Sequence, residues 1–99
     1  MPLTEDIIKK IAEDAGVGME ELTMSGLLAL LREKKRKIMI DILDVFSRYG
    51  VASPGELEKK IKDGEITEHP AWEDLILLEN LEAAIAAIDR DTESIQKAS

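Results

Sequence analysis

Cysteine is absent from this chain, and its absence excludes both disulfides and thiolate metal sites. At 99 residues the chain is one domain by length, and a domain this small buries a lower fraction of its surface than a larger one does. Because disulfide support is excluded, we expect a partner chain to supplement its stability.

Histidine is nearly absent as well. His69 is the only one, so one chain cannot offer a pair of imidazoles to a metal or a Cys–His pair for nucleophilic catalysis. Its place directly before Pro70 is typical of an ordinary residue at a helix start. The sequence therefore predicts no catalytic residue, no metal ligand and no cofactor site, and we expect a protein that is not an enzyme.

Long hydrophobic runs are also missing. No uninterrupted apolar run approaches the ~20 residues that span a bilayer. Residues 1–10 contain a proline, two acidic residues and an amphipathic pattern, which differs from the basic stretch and apolar run of a secretory signal. We therefore expect a soluble, cytoplasmic protein with no membrane association.

Charge is abundant and mainly negative. The 21 acidic and 13 basic residues give a formal net charge of −8, which would on average repel nucleic acid and anionic membranes. Five of the 13 bases nevertheless fall in one six-residue stretch. These five, named here the basic cluster, are Arg32, Lys34, Lys35, Arg36 and Lys37. Nucleic acid is accordingly not predicted as a partner, and any anion-binding role would have to use this cluster.

Helical periodicity dominates the chain, and no segment alternates apolar and polar residues with a period of two, so the predicted fold class is all-α. The first helix is predicted at residues 5–15, between a Thr4 N-cap and a terminating Gly16. The second is predicted at residues 24–49 and ends before Gly50. The connection at residues 17–23 has room for a single helical turn at 19–22.

Two further helices are predicted in the second half. Ser53, Pro54 and Glu56 have the spacing of a capping box with proline at the first helical position, which predicts a short bracketing helix at residues 54–63. The fourth helix is predicted from Pro70 to residue 89, with residue 95 as its outer limit. The two long helices would each be roughly 40 Å long, so we expect them to form an antiparallel hairpin.

The fourth helix carries two apolar strips. One strip would pack in the hairpin, and the other, which we name the outer strip, consists of Ile76, Leu77, Ala84 and Ala87. A helix with so wide an apolar surface is typically contacted from two sides. We assign the second neighbour to another copy of the chain, which predicts a homodimer with a four-helix core formed from two hairpins.

The predicted organisation is a single helical domain over residues 1–99. It comprises an N-terminal helix and turn (1–22), the hairpin (23–89) and a tail that we expect to fray (90–99). The predicted interface residues are Leu31, Ile38, Ile42, Val45, Trp72, Leu75, Leu78, Leu81, Ile85 and Ile88.

Two features are expected to set how the helices fit together. Trp72 would be a hydrophobic plug near Phe46 and Tyr49 at one end of the bundle, and the alternative is an exposed hot spot for a partner. The basic cluster would pair with acidic side chains of the fourth helix and so determine the register of the hairpin or dimer, and the alternative is a solvated surface segment with a pair between Glu33 and Lys37. The acidic side chains meant are Glu73, Asp74, Glu79 and Glu82.

A second functional hypothesis starts from residues 11–18, which end a short helix at a Gly-Val-Gly turn before Glu20, Glu21 and Leu22. This stretch resembles the helix-turn-helix of small bacterial and archaeal regulators. The resemblance implies a transcriptional regulator or antitoxin that contacts DNA through residues 7–22. The sequence departs from that pattern where a recognition helix should present basic or amide side chains to base edges, because it has two acids there.

A third hypothesis concerns Glu79 and Glu82, whose i, i+3 spacing puts both carboxylates on one helix face. Such pairs resemble those of the all-α nucleotide pyrophosphatases, which implies metal-dependent phosphohydrolase chemistry with Mg²⁺ or Mn²⁺. That family needs two carboxylate pairs facing each other across helices, and only this pair lies firmly within a long predicted helix.

The layout of residues 32–88 also resembles small helical-hairpin proteins found beside toxin genes in thermophilic prokaryotes. The similar features are Ser47-Arg48-Tyr49-Gly50, the turn at Gly64-Glu65 and an aromatic-led last helix. The resemblance implies a protein-binding role, and the abundance of Glu and Lys is typical of thermophile proteins. The leading hypothesis is thus a non-enzymatic oligomerisation or protein-interaction module, with an unidentified protein as the alternative partner.

Overall fold

The computed structural model describes residues 4–98, so residues 1–3 of the predicted N-terminal segment and residue 99 of the predicted tail lie outside it. It contains four helices: α1 at Glu5–Ala15, α2 at Met19–Tyr49, α3 at Pro54–Lys62 and α4 at Glu68–Ala98. No strand occurs among the described residues, and the predicted all-α fold class is confirmed.

Local capping accounts for most helix ends. The Thr4 hydroxyl accepts a hydrogen bond from the backbone N–H of Ile7, and the Ser53 hydroxyl accepts one from Glu56 at 3.1 Å. The Glu56 carboxylate in turn accepts from the N–H of Ala52 at 2.9 Å, which completes a reciprocal cap at the start of α3. Both predicted N-caps are therefore confirmed.

The helix α2 begins five residues earlier than predicted. Its first residue is Met19, and the connection to α1 is only Gly16, Val17 and Gly18. The residues that were expected to form a loop suit a helix, because Glu20 and Glu21 lie in the first turn, where negative charge is favourable. Thr23 also donates its hydroxyl to the Met19 carbonyl at 2.9 Å within the helix.

The helix α4 has a break near its start and a late end. The backbone of His69 is non-helical (φ −105°, ψ 126°), so regular helix runs from Pro70, as predicted. At the other end the helix continues through Ala98, beyond both predicted limits. Whether the last residues fray in solution stays a prediction.

Two contacts show that α2 and α4 run antiparallel. The Tyr49 hydroxyl donates a hydrogen bond to the Asp74 carboxylate near one end of the pair. The Lys35 ammonium contacts the Asp89 carboxylate at 2.7 Å further along. Moving back along α2 therefore corresponds to moving forward along α4 by nearly the same number of residues, which is the geometry of the predicted hairpin.

The buried core lies at the turn end of this hairpin. The helix α3 packs across α4 there and buries Leu57 completely and Ile61 to 3% exposure. The other core residues are Ile42, Val45, Val51, Ala71, Leu75 and Leu78. The short helix thus holds the two long ones together, which is the bracketing role expected from its two inward side chains.

The molecule is extended. Its principal dimensions are 61 × 31 × 18 Å, and its radius of gyration is 19.7 Å, against about 13 Å expected for a compact domain of 100 residues. The helix α1 packs mainly against α2, away from the core. None of the described helices is long and apolar enough to cross a membrane.

Candidate interaction surface

Most of the predicted interface residues lie in the seam between α2 and α4 of a single chain. Ile42, Val45, Leu75, Leu78 and Ile88 are at most 9% exposed. The half-buried members are Leu31, Ile38, Leu81 and Ile85. These nine side chains are therefore largely used within the hairpin, and whether any of them also contacts a second copy stays a prediction.

Trp72 lies outside the core cluster and keeps 36% of its surface exposed. The neighbouring Ala71 is fully buried and occupies the inward position instead, next to Leu75. The expected plug between α2 and α4 is therefore not formed by the indole. The exposure of Trp72 agrees with the alternative, in which the indole is an exposed site for a partner.

A shallow groove of ≈ 380 Å³ runs along one side of the hairpin. The groove is lined by Met39, Ile42, Phe46, Glu82, Ile85, Ala86 and Asp89. Leu43 lies one helical turn from Met39 and is 57% exposed, the highest value among the large apolar side chains described. Sequence reasoning missed this surface, although Met39, Leu43 and Phe46 follow one another at the four- and three-residue spacing of a helix face.

The outer strip of α4 is also open. Ile76 is 56% exposed and Leu77 42%, while Ala84 and Ala87 are half-buried. Ile76 and Leu77 are adjacent in sequence, so their side chains point about 100° apart around the helix. The chain thus has two candidate contact surfaces on the hairpin, the groove and the outer strip.

The basic cluster does not pair as predicted. Lys35 contacts Asp89, and Arg36 makes a bidentate pair with Glu33 of its own helix at 2.7 and 2.9 Å. The hydrogen bond from Arg36 lowers the pKa of Glu33. The antiparallel register explains the difference, because it places Asp89, rather than Glu79 or Glu82, opposite the cluster.

A polar cluster marks the turn end of the hairpin. Asp74, with a side chain only 17% exposed, accepts the hydrogen bond from Tyr49 and contacts the Arg48 guanidinium at 3.5 Å. Burial, together with the hydrogen bond to Asp74, raises the pKa of Tyr49. Of the four acidic residues expected to pair with a base of α2, Asp74 is the one that does, although its partner is Arg48 and lies outside the basic cluster.

The family model described as "Uncharacterized protein MJ0235 family" matches residues 1–98. The chain belongs to the MJ0235 family. A relative from Methanocaldococcus jannaschii, "Uncharacterized protein MJ0235", is 33% identical over 70 residues, which cover 71% of this chain and 85% of the relative. No solved structure matches the chain.

In this member of the MJ0235 family, the segment that resembled a recognition helix is the start of α2. Residues 19–25 continue without interruption into a helix of 31 residues, and Glu20 and Glu21 are exposed at its beginning. The two-helix unit of a helix-turn-helix is therefore not a separate element here, and its exposed acids would face a DNA backbone unfavourably.

Glu82, one of the two carboxylates proposed for metal chemistry, lies beside apolar side chains in this MJ0235-family chain. Glu82 lines the groove opposite Met39 and Phe46 of α2, and these residues offer no second carboxylate pair. Across residues 4–98 no group of three or more His, Asp or Glu side chains has the geometry to hold a metal ion.

Proposed function

We propose that the protein is a non-enzymatic oligomerisation and protein-interaction module whose working surface is its helical hairpin. The observation that carries this proposal is the combination of an extended shape with large apolar side chains left exposed along both long helices. A domain of this size that leaves so much of each long helix uncovered gains stability from burial against another chain.

Single exposed apolar residues are normal on protein surfaces, so their arrangement matters more than their presence. On α2, Met39 and Leu43 are exposed one turn apart, and both lie beside the half-buried Phe46. Such a row suits packing of a helix face into a partner, in which the apolar positions supply affinity and the flanking charges select the register.

The test is the mass in solution, measured by light scattering over a concentration series at two salt concentrations. We expect a stable dimer or higher form at micromolar concentration. A monomer up to high micromolar concentration at both salt levels would remove the self-association on which the proposal depends.

The other two hypotheses make different predictions with the same preparation. Salt-dependent binding to its own promoter DNA would replace the proposal by a regulator that acts through residues 7–22. A melting temperature that rises on addition of Mg²⁺ or Mn²⁺ would favour metal chemistry at Glu79 and Glu82. We expect neither effect.

A further inference from the structure

The groove differs in charge between its two sides. On α2, a row of side chains at helix-face spacing borders it: Arg32, Arg36, Met39, Leu43 and Phe46. Met39 and Phe46 line the groove itself. Arg36 and Leu43 lie three or four residues from Met39, and Arg32 lies seven residues from it, so all three share the same face of the helix. We name this row the α2 flank. Its charged members are both basic.

The opposite border belongs to α4. Its row at the same spacing, the α4 flank, consists of Glu79, Glu82, Ala86, Asp89 and Glu93, and three of these line the groove. Every charged member of this row is acidic. The two sides of the groove therefore carry opposite charge. On α2 the charged residues lie at one end of the row, and on α4 they lie on both sides of Ala86.

Some of these charges are already used within the chain. Asp89 pairs with Lys35, and Glu93 pairs with Lys97 at 2.8 Å. Arg36 of the α2 flank pairs with Glu33 of its own helix at 2.7 Å. Among the described residues, Arg32, Glu79 and Glu82 take part in no ion pair. The face thus presents unused charges of both signs beside exposed apolar surface.

Such a face is complementary to itself under one particular symmetry. A two-fold axis parallel to the hairpin places the α2 flank of each copy on the α4 flank of the other, because this rotation exchanges the two sides and keeps the level along the helices. Arg32 and Arg36 of each copy then lie at the level of Glu93 and Asp89 of the other, so basic and acidic side chains meet at two places related by the axis. A two-fold axis across the hairpin would instead stack like rows on like rows, which is unfavourable.

We propose that this groove face is the docking surface for a second copy of the chain, with the two-fold axis parallel to α2 and α4. The inference rests on the proposed oligomeric function and specifies its surface and geometry. In this arrangement Met39 of each copy packs beside Ile85 and Ala86 of the other. Leu43 and Phe46 lie further along, at the level of Glu82 and Glu79, and the charged rows determine the register.

The size of the face is adequate. The stretch of α2 from Arg32 to Phe46 is about 22 Å long and two packed helices are about 20 Å wide, so the face offers about 440 Å² in projection. The accessible area of a ridged helix surface exceeds its projection, and the total from both copies approaches roughly 1,000 Å², the lower limit for a specific interface.

The large apolar side chains of the groove form a longer continuous row than those beside the outer strip. Ile76 has Trp72 one turn before it, and the next positions on that face, Asn80, Ala83 and Ala87, are an amide and two alanines. The α2 flank places Met39, Leu43 and Phe46 in one row. For this reason the groove is the preferred surface, although the outer strip was the one expected from the sequence.

A matched pair of substitutions separates the two surfaces. Leu43→Asp and Ile76→Asp each put a charge at a position with nearly the same exposure, 57% and 56%, and each position lies six residues inside the regular part of a long helix. We expect Leu43→Asp to weaken the dimer at least about 30-fold, the size of a hot-spot substitution, and Ile76→Asp to leave the dissociation constant unchanged. Circular dichroism checks that both variants keep the helix content of the parent.

The outcomes distinguish this inference from the function on which it rests. A dimer that Ile76→Asp disrupts and Leu43→Asp does not would overturn the groove and leave the oligomeric function standing. A parent chain that is monomeric at every concentration would overturn both.

Cross-linking tests the axis, and the absence of native cysteine makes the result unambiguous. Met39→Cys and Ala86→Cys are prepared as separate single variants, mixed in equal amounts and treated with a short bismaleimide. Because the parallel axis brings Met39 of one copy to Ala86 of the other, we expect the mixed 39–86 product to dominate in mass spectrometry. A dominant 39–39 product would overturn the parallel axis, and the absence of any cross-linked dimer would overturn the groove.

Discussion

Removing the side chain of Leu57 tests how the hairpin is held together. Leu57 is fully buried in α3 and belongs to the core cluster with Ile61, Ala71 and Leu75. Substitution of a buried leucine by alanine costs about 2–5 kcal/mol, and more where the surroundings cannot collapse into the cavity. Because Leu57 is one of only two buried residues in α3, we expect a cost of about 3 kcal/mol, near the middle of that range.

The cost is measurable by urea denaturation followed with circular dichroism. With an m-value of about 1.5 kcal/mol per molar for a chain of this size, the midpoint should fall by about 2 M. Leu43→Ala is the matched control, because it makes the same change at a position that is 57% exposed and should cost less than about 0.5 kcal/mol. Both variants are measured at a low protein concentration, so that a change in dimerisation does not enter the comparison.

The reasoning would be refuted if the two variants shifted the midpoint by the same amount. Equal shifts would mean that Leu57 is no more buried in solution than Leu43, and that α3 does not bracket the hairpin. A shift for Leu57→Ala below about 0.3 M, which corresponds to about 0.5 kcal/mol, would lead to the same conclusion.

Three further predictions concern local structure. Gly50→Ala should destabilise the fold by about 1–2 kcal/mol, because Gly50 ends α2 with a left-handed φ of 64°. Gly26→Ala within α2 should instead stabilise the fold by up to about 1 kcal/mol, since nothing lies within 4 Å of the added Cβ. Thermal melting should show a lower melting temperature for the first variant and a higher one for the second. Ser53→Ala should cost about 1 kcal/mol, because it removes the hydroxyl that caps α3, and a cost near zero in urea titration would contradict that cap. The raised pKa of Tyr49 predicts alkaline destabilisation: above about pH 10 the unfolded chain loses the phenol proton first, so stability falls as pH rises towards the folded pKa. Tyr49→Phe should lack this part of the decline in stability. The phenolate absorbance of this single tyrosine reports its pKa directly. A pKa at or below the ordinary value of a tyrosine would contradict the contact with Asp74.

Several helix boundaries were determined by the sequence alone, because they depend on interactions within a few residues. Thr4 and Ser53 cap the helices that follow them, and Gly50 ends α2 in the conformation that glycine adopts most readily. Pro70 begins the regular part of α4, where a missing N–H costs nothing. These signals act locally and remain the same whatever the chain packs against.

The tertiary structure decided the register and the choice of inward faces. Antiparallel packing of α2 and α4 paired Lys35 with Asp89, a residue outside the four acidic side chains that were expected to pair with the basic cluster. Packing of α3 against α4 likewise placed the small Ala71 in the core and left Trp72 at the surface. Both outcomes depend on which of several side chains, distant in sequence, occupies the same space. Composition and helical periodicity do not describe that competition, so neither outcome could be predicted from the sequence.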